Sequence, residues 1–122
     1  MREVTQEILR SAGYRVWPAK NAAAAEAIFD EHGWEIDVLV TDIILPGETG
    51  RVLGARMQQR NPCLKTLYIS GYPEQIHELE ISGEECLAKP FTSDVLLRKV
   101  REGRHETPRV GEDSMLEVCA GA

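Results

Sequence analysis

Val38-Leu39-Val40-Thr41-Asp42 is an apolar run that ends in a carboxylate. It does not alternate polar with apolar, so it reads as a strand covered on both faces, as in the interior of a parallel sheet. Downstream, Ile43 to Gly50 forms a loop that feeds a helix in which Leu53 and Met57 stand one turn apart; Asn61-Pro62 breaks that helix. Thr66-Leu67-Tyr68-Ile69 is a second apolar strand, closed by Ser70-Gly71, and Pro73 suits the first turn of the next helix. Cys86-Leu87-Ala88 is a brief strand followed by Lys89-Pro90-Phe91. Thr92 or Ser93 then caps a last helix with Leu96 and Val100 on its inner face.

Upstream, Ala22 to His32 reads as an alanine-favoured helix whose apolar face is Ala24, Ala27 and Ile28, ended by Gly33. Before it, Tyr14-Arg15-Val16-Trp17 is a short strand stopped by Pro18. The chain opens with a helix in which Val4, Ile8 and Leu9 recur at helical spacing up to Gly13. Helices and strands therefore alternate through about residue 102, which predicts an α/β fold, a doubly wound parallel sheet with helices on both faces. Such a sheet normally begins with a strand and this chain begins with a helix, so the expected fold lacks its first strand. That predicts unpaired backbone groups in the middle of the sheet, resolved by a strand from upstream or by a homodimer.

The chain has 122 residues, enough for one domain. At 43% hydrophobic and 28% charged it is not a disordered chain. No apolar run approaches the roughly 20 residues of a membrane span, and the first residues lack the apolar core of a secretory signal. Fourteen Lys and Arg against 20 Asp and Glu give a net charge of −6, which argues against direct nucleic-acid binding. The three cysteines, Cys63, Cys86 and Cys119, lack metal-ligand spacing and read as reduced thiols of a cytoplasmic protein. Residues 103–122 carry Gly and Pro without periodicity and read as a disordered tail in which Met115 to Cys119 is too short to build a core.

Asp42, Ser70 and Lys89 each follow an apolar strand. If the strands are parallel, all three stand at one edge of the sheet, where ligands of open α/β sheets bind. A carboxylate, a hydroxyl and an ammonium meeting there suit phosphoryl chemistry, with the carboxylate as nucleophile and the other two as oriented donors. Singly, each has an ordinary reading: a turn or cap residue, a turn serine, a solvated lysine. His32, His77 and His105 are scattered and read as surface or cap residues, and Trp17, Trp34 and Tyr68 as packing residues.

Val38 to Gly50 closely resembles the phosphoacceptor strand and loop of bacterial response-regulator receiver domains in two-component signalling, which share a flavodoxin-like sheet. Leu67-Tyr68-Ile69-Ser70-Gly71-Tyr72 is similar to the family's fourth strand with its switch hydroxyl, and Leu87-Ala88-Lys89-Pro90-Phe91 to its fifth strand and lysine. The overall wording is most similar to receivers of hybrid sensor histidine kinases, with residues 1–102 as the receiver domain. The resemblance implies that Asp42 accepts a phosphoryl group from a sensor histidine kinase or phosphotransfer protein in a phosphorelay. It further implies that Lys89 pairs with that group and that Ser70 moves toward it. Mg2+ would bridge the Asp42 carboxylate, with the Ile44 carbonyl as a second ligand, and the bond before Pro90 would be cis. Pro46 and Gly50 would shape the loop, and the surface around residues 74–80, the last strand and 93–102 would meet partners.

Two departures stand out. The family places two acids at the end of its first strand, and nothing here matches them; Asp37 lies roughly 16 Å from Asp42 along an extended strand. Cys86 stands where many members carry a switching aromatic. The alternative is a pseudo-receiver, a binding module that works without phosphorylation. A phosphatase with an aspartyl nucleophile is disfavoured, because the acid it needs two residues after Asp42 is replaced by Ile44.

Overall fold

The first helix, α1 (Arg2–Ser11), stops at Gly13, whose φ of 98° is a left-handed conformation that side chains disfavour. The Gly13 amide donates to the Arg10 carbonyl and the Tyr14 amide to the Leu9 carbonyl, closing the helix end. The computed structural model describes residues 2–32, 35–45, 47–62, 64–83, 85–101 and 114–118. After α1 come β1 (Arg15–Ala19), α2 (Ala22–His32), β2 (Val38–Asp42), β3 (Ile44–Leu45), β4 (Glu48–Thr49), α3 (Gly50–Arg60), β5 (Lys65–Ser70), α4 (Pro73–Ile81), β6 (Cys86–Ala88), α5 (Ser93–Arg101) and β7 (Ser114–Val118).

The main sheet runs β1-β7-β2-β5-β6, and every pairing in it is parallel. The doubly wound parallel fold, with a helix as its first described element, is as expected. Unpaired main-chain groups in the middle of the sheet are not what the structure shows. The segment 114–118 enters between β1 and β2, pairing Arg15–Ala19 on one side and Val38–Thr41 on the other. The expectation that residues 103–122 stay disordered is thus corrected for 114–118, where main-chain groups of two flanking strands supply the partners that local sequence does not reveal. Residues 102–113 and 119–122 lie outside the described residues, as do Gly33, Trp34, Pro46 and Cys63.

The two faces of β2 feed separate clusters. Leu39 packs with Ala22, Ala25, Phe29, Leu53 and Met57, contributed by α2 and α3. Val38 and Val40 pack with Leu9, Leu96 and Val100, contributed by α1 and α5. Burial on both faces is what the unbroken apolar run predicts. The buried face of α2 is Ala22, Ala25 and Phe29 rather than the Ala24, Ala27 and Ile28 stripe; Ala24 and Ile28 are partly covered and Ala27 is exposed. A helix rich in small apolar residues has no sharp stripe, and the bulk of Phe29 sets its rotation.

Pro18 does not stop β1 but sits inside it. β1 is an edge strand, pairing with β7 alone, where a residue without an N–H is tolerated. Trp17 packs against the core and stacks on His32 at 4.8 Å between ring centroids, with the Arg15 guanidinium on its ring. As expected, Thr92 caps α5, its hydroxyl accepting from the Val95 amide. At the other end, Lys65 donates its ammonium to the Lys99 and Val100 carbonyls, holding the last turn of α5 on the sheet.

Leu53 is completely buried on α3 while its neighbour Val52 is 51% exposed. Leu53→Ala is expected to cost about 2–5 kcal/mol in a urea melt, and Val52→Ala within about 0.5 kcal/mol.

Candidate functional site

Asp42, Ser70 and Lys89 stand at or just past the carboxyl ends of β2, β5 and β6, three adjacent strands of the sheet. The register fixes their order: Asp42 pairs with Ile69, and Ser70 with Ala88, the residue before Lys89. The Lys89 amide donates to the Ser70 carbonyl at 2.8 Å, so the main chain of the lysine is held against the serine. The peptide bond between Lys89 and Pro90 is cis, as the resemblance implies.

The Lys89 ammonium lies 3.5 Å from Asp42 Oδ1. The aspartate side chain is 14% exposed and the lysine side chain 35%, so the carboxylate is largely sheltered while part of the lysine meets solvent. A cation at that distance from a largely sheltered carboxylate can move from it to the oxygens of an incoming anion. Ser70 is buried, and its hydroxyl donates to Gln75 Oε1 at 2.5 Å while accepting from the Tyr72 amide at 3.0 Å. The structure therefore brings Asp42 and Lys89 into contact and holds Ser70 on the next strand with its proton given to α4.

Gln75 escaped the sequence reading. It is the third residue of α4, a position from which side chains commonly reach back over a helix start, and that was the available signal. Beside this contact is a cleft of about 330 Å³ whose lining includes Ser70, Tyr72, Ile76 and Lys89, with Tyr72 55% exposed. Cys86 is buried against Tyr68 and Leu79, its thiol 3.9 Å from the Ile76 carbonyl, and burial raises the thiol pKa above its ordinary value.

The loop after Asp42 is a short hairpin, β3 against β4, where the sequence predicts an irregular loop. Thr49 closes it as the cap of α3, its hydroxyl accepting from the Val52 amide. Gly50 comes so near β2 that a Cβ there would lie 2.1 Å from the Asp42 carbonyl oxygen. Arg56 on α3 donates to Glu48 in this hairpin and to Glu26 on α2, which ties the loop to two helices and raises the guanidinium pKa, the Glu48 hydrogen bond being the main cause. Glu48 is thereby committed to Arg56.

Receivers generally bind Mg2+ at the phosphorylation site. Among the described residues no group of three or more His, Cys, Asp or Glu is placed to hold a metal ion, and the Asp42 carboxylate lies against the Lys89 ammonium. Among the described residues a hard cation that prefers six oxygen ligands is therefore short of carboxylate donors.

Gly50→Ala is expected to destabilise the domain by about 1–3 kcal/mol through displacement of the Asp42 main chain. Gly71→Ala, where a Cβ meets nothing within 4 Å, is expected to stay within about 0.5 kcal/mol. Urea midpoints of the two variants make the comparison.

The family model described as "Response regulator receiver domain" matches residues 1–101. Sensor kinase CckA of Brucella abortus is 31% identical over 97 residues, covering 77% of this chain and 10% of that protein. C4-dicarboxylate transport transcriptional regulatory protein DctD of Rhizobium meliloti is 26% identical over the full chain and 27% of its own length. A crystal structure of a CheY-like response regulator receiver domain protein from Methanospirillum hungatei superposes with a TM-score of 0.69 at 26% identity, covering 82% of this chain and 81% of that one. The chain spans a tenth to about a quarter of those first two curated relatives. Among the described residues no helix is long and apolar enough to cross a membrane. The family model spans most of the chain and the parallel sheet superposes on a receiver, so the chain belongs to the response regulator receiver domain family, a signalling fold rather than a conventional enzyme.

Proposed function

We propose that Asp42 accepts a phosphoryl group from a phosphohistidine of a sensor histidine kinase or phosphotransfer protein. An oxygen of the Asp42 carboxylate attacks phosphorus, the phosphorus–nitrogen bond breaks, and the imidazole leaves with its electron pair. Lys89 then follows the negative charge outward to the phosphoryl oxygens. The observation that carries this reading is the 3.5 Å contact between Lys89 and Asp42 at the sheet edge.

The signal leaves through Ser70. A hydroxyl has one proton, and here it goes to Gln75. A phosphoryl oxygen at Asp42 competes for that proton, so phosphorylation breaks the Ser70–Gln75 bond and releases the start of α4. Cys86 has no aromatic ring to rotate, so the change is carried by the loop from Gly71 to Pro73 and by α4.

A second reading is favoured by the incomplete metal donor set: a pseudo-receiver whose surfaces bind partners without phosphorylation. Acetyl phosphate with Mg2+, followed by intact mass, separates the two. The phosphoacceptor reading expects a gain of one phosphoryl group that disappears in Asp42→Asn; an unchanged mass in the wild type favours the pseudo-receiver. Gln75→Ala is expected to move the Ser70 and Tyr72 amide resonances toward their positions in the phosphorylated wild type. Resonances that stay in place overturn the role given to Gln75.

A further inference from the structure

We infer that the gap between β1 and β2 is an acceptor slot for a parallel strand, and that residues 114–118 of a second copy of this chain can fill it, giving a reciprocal strand-exchanged dimer. The inference stands apart from the phosphorylation reading.

The slot is built without β7. β1 and β2 are consecutive strands joined through α2, yet they do not pair with each other; a full strand position, taken by β7, lies between them. Its borders are in place from residues 2–101. Ala19 and Leu39 belong to the cluster on one face, and Val38 and Val40 to the cluster on the other. An empty slot would leave the inward N–H and C=O groups of the buried strand β2, and those of the half-buried β1, without their ladder partners. The slot therefore has a strong affinity for any extended segment of suitable length.

The segment that fills it is recognised largely through its backbone. Residues 114–118 match five residues of β1 and four of β2 in continuous parallel register. Those ladders form equally well whether the segment comes from the same copy or another. Only the 12 residues of 102–113 separate it from α5. At a maximum of about 3.5 Å per residue they reach about 40 Å, whereas three strand positions, from β6 across to β7, span only about 14 Å. The tether is long enough in cis, and a segment linked through so few residues has an effective concentration on the order of millimolar. The chain accordingly closes on itself at micromolar concentration. Shortening the tether removes that advantage and leaves a second copy as the source of the strand.

Deleting residues 103–113 leaves a single residue between α5 and the strand, a reach of about 7 Å. That is too short to turn a helix back into a parallel strand in the neighbouring layer. Light scattering is expected to give the single-copy mass for the full chain and twice that for the deletion variant. In a mixture of differently labelled copies, nuclear Overhauser contacts between 114–118 and 15–19 are expected to run between copies. A deletion variant that folds as a single copy overturns the inference. If the variant does not fold, the full chain carrying Leu116→Pro, which removes a main-chain donor inside the strand, decides the matter with a synthetic peptide of residues 112–120. The peptide is expected to raise the thermal midpoint in proportion to the logarithm of its concentration, and a peptide bearing the same proline to have no effect. No shift with the wild-type peptide overturns the inference.

Discussion

Main-chain pairing of β7 with the strands on either side of it is the constraint on which the rest depends. β2 carries Asp42, and β2 is held on one flank by β5 and on the other by β7. With only one ladder, the acceptor strand would be an edge, free to twist and to meet water. With both, its position is fixed well enough for Lys89, arriving from β6 two strands away, to come within 3.5 Å of the carboxylate. The Asp42–Lys89 contact is thus a product of sheet closure as much as of the residues themselves.

What could be read in the sequence follows from which interactions are local. The two-faced burial of Val38 to Thr41, the cap at Thr92 and the glycine stop at Gly13 are each visible within a few residues, and each is present. Asp42, Ser70 and Lys89 were legible because the strands before them are strongly apolar and end abruptly. Ser114 to Val118 has no comparable signal: it is five residues long, holds a glutamate, and follows a stretch rich in Gly, Pro and charge. Its strand state is conferred by two neighbours distant in sequence. Pro18 was misread for the same reason, since its tolerance depends on β1 being an edge. Gln75 went unnoticed because its partner lies before the helix and not within it.

The site divides its work between charge and geometry. Lys89 provides a movable cation, Ser70 a single proton already committed, and Gly50 the space that lets the hairpin lie against the acceptor strand. The Arg56 contacts to Glu26 and Glu48 brace that hairpin, tying it to α2 and α3.

The placement of β7 also sets a timetable for biosynthesis. Of the elements described, the innermost strand of the sheet is the last to leave the ribosome, after both helical layers have emerged. A nascent chain extending through α5 has every border of its core but not the middle, and it must wait with two buried ladders half made. Among the described elements, pairing at the middle of the sheet therefore waits until residues 114–118 have been made, and the ladders around β2 are among the last contacts to form.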